Sequence, residues 1–450
     1  MNIFFIIKLL YSRQLILTHD KWTRAELENY QAQALRKLRT HAYANSPFYK
    51  KFHRDLFDCP LNELPVLTKK ELMDNFDELN TDPKMKLQDI SSHIANLTGN
   101  EMYLKKYRVS STSGSTGLKG VFPFNEDEWA AASASYLRAS DWSGVKVSLT
   151  KRLKVAIVGS TTPWHVSSRV GSTLNSWWIP TINIDTADPI NETVKKLNNF
   201  RPDCLMAYPN TARLLAEQQI SGNLRISPKV IFCTSEVLTV DSRERIYSAF
   251  GVRPFNIYAA TETAGFASEC NQHKGLHLYE DLVIPEVVDD DNKPVPNGEY
   301  GTKILVTVLS SKTLPLIRYE ISDSVKLEDT KCPCGLPFRI IGDIQGRKEE
   351  TLYFPDIYGK MVKIEPNLFH KIMEIVPVAG WQVIQDTQNS LKILVCEPRV
   401  EYSEILLIEK LKTELSRENI FPNVFVEYVN KLQQTELGKT ILIKSLVPLL

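Results

Sequence analysis

Residues 203–220 read DCLMAYPNTARLLAEQQI. The first part is a short apolar run ending at Pro209. The second repeats Ala212, Leu215 and Ala216 at three- and one-residue steps that fall on one face of a helix. The same texture continues on both sides. KVAIVGS (154–160) and KVIFCTSE (229–236) are neighbouring apolar runs, and INETVKKLNNF (190–200) is a further helical stretch. Strand, helix and strand in succession predict a largely parallel sheet with helices on its faces. After about residue 275 the pattern changes to strand signals and turns, NKPVPNGEYG (292–301) and TKILVTVLS (302–310). The last segment mixes the strand-like LKILVCEP (391–398) and NVFVEYV (423–429) with one helical stretch, SEILLIEKLKTELSR (403–417).

Toward the N-terminus, Leu27, Tyr30, Ala34, Leu35, Leu38 and Ala42 recur at helical spacing over residues 24–52, and Pro47 breaks the run. In LPVLTKKELMDNF (64–76), Thr68 and Glu71 have the spacing of a capping box. MNIFFIIKLL (1–10) is apolar, but Lys8 interrupts it and no small-residue cleavage site follows. It is shorter than the roughly 20 apolar residues of a membrane span and reads as a docked helix. The formal net charge of +1 gives no long-range pull toward a polyanion, which argues against nucleic-acid binding as the main task. A chain of 450 residues suffices for two or three domains. Seven scattered cysteines, an odd number, do not suggest a disulfide scaffold, so the expected compartment is the cytosol.

SSTSGSTGLKG (110–120) is either a flexible connector or a loop that presents N–H groups and hydroxyls to a phosphate. It is not a Walker A loop, because Gly120 rather than Ser or Thr follows Lys119. The residues alone leave both readings open. Four further stretches follow it in order: IYAATETAG (257–265), PLIRYEISD (315–323), QGRKEE (345–350) and ELGKTILIK (436–444). The five together resemble the signatures of the AMP-forming, adenylate-forming ligase superfamily of acyl-CoA synthetases, peptide-synthetase adenylation domains and firefly luciferase. LRKLRTHAYANSPFYKKF (35–52), LPVLTKKEL (64–72) and CPCGLPF (332–338) are similar to the phenylacetate–CoA ligase-like branch, including relatives near capsule-biosynthesis loci. The resemblance covers nearly the whole chain.

It implies an α/β fold. A large N-terminal domain (1–348) would have mainly parallel sheets, flanking helices and a β subdomain. A small mobile α+β C-terminal domain (349–450) would carry the catalytic lysine. The implied reaction joins a small carboxylic acid to ATP as acyl-AMP, then passes the acyl group to a thiol, that of CoA. An amine or carrier-protein acceptor, AMP transfer to a small molecule, or a lapsed nucleotide-binding paralogue are the alternatives; a homodimer is compatible with all of them. Ser113, Gly114, Ser115, Thr116, Gly117 and Lys119 would hold phosphates, and Thr261 would sit at the α-phosphate. Glu262 would bind Mg²⁺, which prefers oxygen ligands. Tyr258, Ser235 and Glu236 would lie by the nucleotide, Asp323 would accept the ribose hydroxyls, and Arg347 would pair with ribose or phosphate oxygens. Lys439 would bring positive charge to the carboxylate and α-phosphate during adenylation. Trp164, His165, Tyr208, Pro209 and Asn210 fall where the superfamily builds its acyl pocket.

Three departures stand out. Leu118 replaces a common proline, Thr234 and Val237 alter the adenine-facing segment, and Glu349 and Glu350 stand where two hinge aspartates are usual. Separately, Cys270-x-x-His273 and Cys332-x-Cys334 supply three thiols and an imidazole, a donor set that suits structural Zn²⁺. Four unrelated loop residues are the other reading.

Overall fold

The β–α units form as the apolar runs indicate. The computed structural model describes residues 3–112, 118–145, 152–347, 350–364, 366–373, 376–435 and 439–447. Its main sheet has nine strands. Five are parallel neighbours in the order Thr181–Asp185, Val155–Gly159, Cys204–Ala207, Val230–Thr234, Phe255–Ala260. Val230–Thr234 is buried along its whole length, as expected of a central strand covered on both faces. The helices Ile190–Phe200, Pro209–Ile220 and Val240–Phe250 follow three of these strands. Thr181–Asp185 gave no clear signal in the sequence because it forms the sheet edge and buries chiefly Ile184.

Beyond Phe255–Ala260 the sheet continues antiparallel through Ala264–Glu269, Leu276–Leu278, Ile340–Arg347 and Asp323–Leu327. Val283–Val288, Lys303–Val308 and Tyr319–Ile321 form a separate three-stranded antiparallel sheet, the β subdomain. The C-terminal segment builds its own four-stranded sheet, ordered Asn423–Val429, Ser390–Pro398, Val378–Thr387, Ile443–Ser445. Leu352, Phe369, Trp381 and Leu411 belong to a core of its own. Among the described residues it carries two helices, Pro366–Met373 as well as the expected Glu404–Ser416. Residues 348–349, where the two domains were expected to divide, lie outside the described residues.

The apolar N-terminus forms the helix Ile3–His19, which buries Phe5, Leu9 and Ile16 against the helix Glu126–Trp142. Its end is held electrostatically. The Arg138 guanidinium donates to both carboxylate oxygens of Asp281, at 2.7 and 2.8 Å, and to the Ile16 carbonyl at 2.7 Å. His19 Nδ1 lies 2.7 Å from the same carboxylate. Burial alone would raise the Asp281 pKa, but Arg138 and His19 outweigh it and hold the group at about 2. No described helix is long and apolar enough to cross a membrane. Thr68 and Glu71 form the expected capping box on Lys69–Asp74, and Pro47 opens a new helix, Pro47–Phe52, after Arg24–Asn45 ends.

Candidate active site

Parallel strands deliver their following loops to one edge of the sheet, and that edge is where open α/β folds bind ligands. Here it receives His165 after Val155–Gly159, Ser235 after Val230–Thr234, and Thr261 and Glu262 after Phe255–Ala260. A cleft of about 600 Å³ opens at this edge. Its walls include His165, Ser235, Thr261, Glu262, Asp323 and Lys439. Residues from five separate stretches, including the C-terminal one, therefore meet in a single cavity.

The Ser/Thr/Gly stretch connects two paired strands. Arg108–Ser111 and Val121–Phe124 pair antiparallel across it. Its base is closed by the Thr112 N–H donating to Gly120 O at 3.0 Å and the Gly120 N–H donating to Thr112 Oγ1 at 2.8 Å. Thr112 and Leu118 line the cleft at the two stems. Ser113, Gly114, Ser115, Thr116 and Gly117 lie outside the described residues. Lys119 carries its ammonium 5.6 Å from the centre of the Trp164 ring.

The Tyr258 hydroxyl donates to the Asp323 carboxylate, and the Tyr319 hydroxyl donates to Glu262 at 3.3 Å. Arg347 pairs directly with Asp323 across two antiparallel strands. Gly346 beside it has φ +112°, and an added Cβ would strike the Glu350 carboxylate, so this position before the expected hinge requires glycine. His165 is buried, with Nδ1 2.8 Å from the Ser167 hydroxyl. Burial, reinforced by nearby Lys439, lowers its pKa to about 3, so it is a neutral imidazole near pH 7.

Of the five residues expected to build an acyl pocket, His165 lines the cleft and the other four do not. Tyr208 is buried, with its hydroxyl accepting the Ser160 N–H at 3.1 Å and its ring packed under Gly159. Pro209 and Asn210 begin the helix Pro209–Ile220, and Asn210 faces Glu236. Tyr136, unmarked in the sequence reading, lines the cleft instead. It sits within the helix Glu126–Trp142, where its period matches that of ordinary core residues. Glu236 lines an adjoining cavity of about 310 Å³ together with Ser235, Tyr258, Asp323 and Lys439.

The cysteine cluster forms with one correction. Cys270, Cys332, Cys334 and His277 place one ligand atom each within 4.8 Å of one another. Cys270 and Cys332 sulfurs are 3.7 Å apart, and Cys334 Sγ is 3.3 Å from His277 Nε2. His273 is elsewhere. It takes φ +50° in the turn, sets Nδ1 3.1 Å from Glu269, and packs its ring on Phe255. Cys270 directly follows the strand Ala264–Glu269 and His277 lies in the next, Leu276–Leu278, so the hairpin brings together residues that a short Cys-x-x-His reading does not pair. The signal available was a histidine between two leucines in a buried strand.

No protein-family model matches the chain. The phenylacetate–coenzyme A ligase of Thermus thermophilus is 25% identical over 417 residues, covering 88% of this chain and 86% of that one. Protein CapK of Staphylococcus aureus is 27% identical over 429 residues, covering 92% and 88%. Among solved structures, a 2-hydroxyisobutyryl-CoA ligase in its postadenylation state with 2-HIB-AMP superposes with a TM-score of 0.72 at 17% identity, over 95% of this chain and 91% of that one. The same ligase with 2-HIB-AMP and CoA in its thioesterification state gives 0.61 at 17% identity, over 95% and 92%. The fold is thus that of the adenylate-forming ligases. By sequence the chain is similar over nearly its whole length to a phenylacetate–coenzyme A ligase and to CapK.

Proposed function

We propose that the protein converts a small carboxylic acid to acyl-AMP with ATP and then transfers the acyl group to the thiol of CoA. The observation that carries this reading is that Lys439 lines the same cleft as Thr261, Glu262 and Asp323. A carboxylate is a poor acyl donor because its leaving group would be an oxide. In the first step a carboxylate oxygen attacks the α-phosphorus, an O–P bond forms, and pyrophosphate leaves. Two anions meet, so catalysis requires charge already in place. Lys439 supplies it at the carboxylate and α-phosphate, Thr261 contacts the α-phosphate, and Glu262 offers an oxygen ligand to Mg²⁺. The loop Ser113–Gly117 and Lys119 hold the outer phosphates. Asp323 accepts the ribose hydroxyls, with Arg347 beside it. In the second step the thiolate attacks the acyl carbon and AMP leaves. The 2-hydroxyisobutyryl-CoA ligase of like fold has been captured with both 2-HIB-AMP and CoA, which supports this acceptor.

Cys270, His277, Cys332 and Cys334 hold a structural Zn²⁺ in this reading. Tetrahedral zinc with bonds of about 2.3 Å to sulfur separates two thiolates by roughly 3.8 Å, and the Cys270–Cys332 separation is 3.7 Å. These four residues would close the coordination sphere of a bound ion, which would tie the strand Leu276–Leu278 to the 332–334 turn and leave no open position for substrate. Incubation with ATP, Mg²⁺ and a panel of carboxylic acids tests the activity: at least one acid should release pyrophosphate, and release with none would overturn the proposal.

A further inference from the structure

Glu236 follows Ser235, whose backbone has φ +72° at the end of the strand Val230–Thr234. The two oxygens of its carboxylate have different partners. Oε2 accepts the N–H of Asn210 at 3.2 Å and its side-chain amide at 3.1 Å. Oε1 accepts the backbone N–H of Thr440, the residue after Lys439, at 2.7 Å. One carboxylate thus ties the first turn of the helix Pro209–Ile220 to the backbone that carries Lys439 into the cleft. Glu236 is half-buried by area, yet burial pushes its pKa up to about 7, with the Thr440 and Asn210 bonds and the Lys439 charge opposing that rise.

The same helix holds the C-terminal domain farther along. Arg213 donates to the Val378 carbonyl at 2.5 Å, and Glu217 pairs with Arg399 at 3.1 Å. Asn210, Arg213 and Glu217 recur at three- and four-residue steps, which places them on one face. Arg213 and Glu217 fasten the body of the C-terminal domain, while Glu236 fastens the backbone next to the lysine.

We propose that Glu236 is a positioning residue for adenylation: with Asn210 behind it, it latches the Thr440 N–H and so fixes Lys439 in the cleft. The inference rests on the adenylation reading. A residue that merely contacted the nucleotide would change ATP binding, and one that merely supported the fold would weaken both half-reactions. A latch acts on one half-reaction alone. The transition state of adenylation needs the lysine charge in place, whereas consumption of preformed acyl-AMP by CoA does not.

The test uses the full chain with E236A and E236Q, and N210A as a milder variant on the other side of the latch. E236A should lower kcat for ATP–pyrophosphate exchange roughly 10- to 100-fold, the scale of one charge-assisted hydrogen bond, with KM for ATP held within about 2-fold. Its consumption of supplied acyl-AMP by CoA should fall far less than exchange does. E236Q, which keeps one acceptor oxygen, should recover part of the loss, and N210A should show a smaller fall of the same kind. Independently of activity, backbone hydrogen exchange at Thr440 should be faster in E236A than in wild type. Equal loss in both half-reactions, a rise confined to KM for ATP, or unchanged exchange at Thr440 would overturn the latch. Wild type that releases no pyrophosphate with any acid would instead overturn the adenylation reading, and the Thr440 measurement would still decide the latch.

Discussion

Arg347 stands directly opposite Asp323 in the antiparallel pair formed by Ile340–Arg347 and Asp323–Leu327. Strand register therefore sets two residues from separate motifs opposite each other along the backbone. Tyr258 adds a hydroxyl bond to the same carboxylate from the next motif upstream. Replacing Asp323 with alanine should raise KM for ATP by roughly ten- to a hundredfold, since a charge-assisted hydrogen bond contributes about 1.5–3 kcal/mol. Tyr258→Phe, which leaves the carboxylate in place, should have a smaller effect. An unchanged KM for ATP in D323A would remove Asp323 from the nucleotide site.

Lys439→Ala should lower adenylation by about 10²- to 10³-fold, the scale of removing one preorganised electrostatic contact from a transition state. ATP binding, followed by a fluorescent analogue, should change little. The variant should still consume supplied acyl-AMP. Pyrophosphate exchange at the wild-type rate would show that Lys439 is not the activating charge.

Purified protein should contain close to one zinc per chain. H277A and C332S should lose the metal and melt at a lower temperature, whereas H273A should keep it, because His273 faces Glu269 and Phe255 instead. Burial raises the Cys270 thiol to about 12 in the absence of metal, so zinc uptake must displace its proton. Zinc lost from H273A but retained by H277A would reverse the assignment.

His53, His165 and His370 are buried, and burial lowers their pKa values to about 4, 3 and 4 from the ordinary 6.5. As pH falls, the unfolded chain takes up these protons first. The stability they contribute is therefore complete above the unfolded value and is lost as pH drops from 6.5 toward the folded values. At about pH 5 each costs roughly 2 kcal/mol. H53Q should accordingly lose less melting temperature than wild type between about pH 7 and pH 5. Identical shifts in the two proteins would mean that His53 titrates normally.

The β–α alternation was legible because apolar runs such as Val230–Thr234 are buried on both faces and leave a continuous pattern. Thr181–Asp185 was not, since an edge strand needs only one inward residue. Thr261, Glu262, Asp323 and Lys439 were legible through their motifs, and the fold gathers them into one cleft. Two features required the third dimension. His277 reaches Cys270 across a hairpin, which spacing along the chain does not reveal. Glu236 meets Thr440 across 204 residues, and nothing local to either residue marks the contact. Tyr208, an aromatic residue next to the site in sequence, is buried with its hydroxyl on the Ser160 N–H rather than lining the cleft.

Formation of a CoA thioester is the measurement closest to the central claim. Wild-type protein would be supplied with ATP, Mg²⁺, CoA and the acid that drives the fastest pyrophosphate release, and the products resolved by mass spectrometry. The account predicts acyl-CoA and AMP in equal amounts, with acyl-AMP accumulating when CoA is withheld. Accumulation of acyl-AMP in the presence of CoA, with no thioester, would contradict it and point to an amine or carrier-protein acceptor.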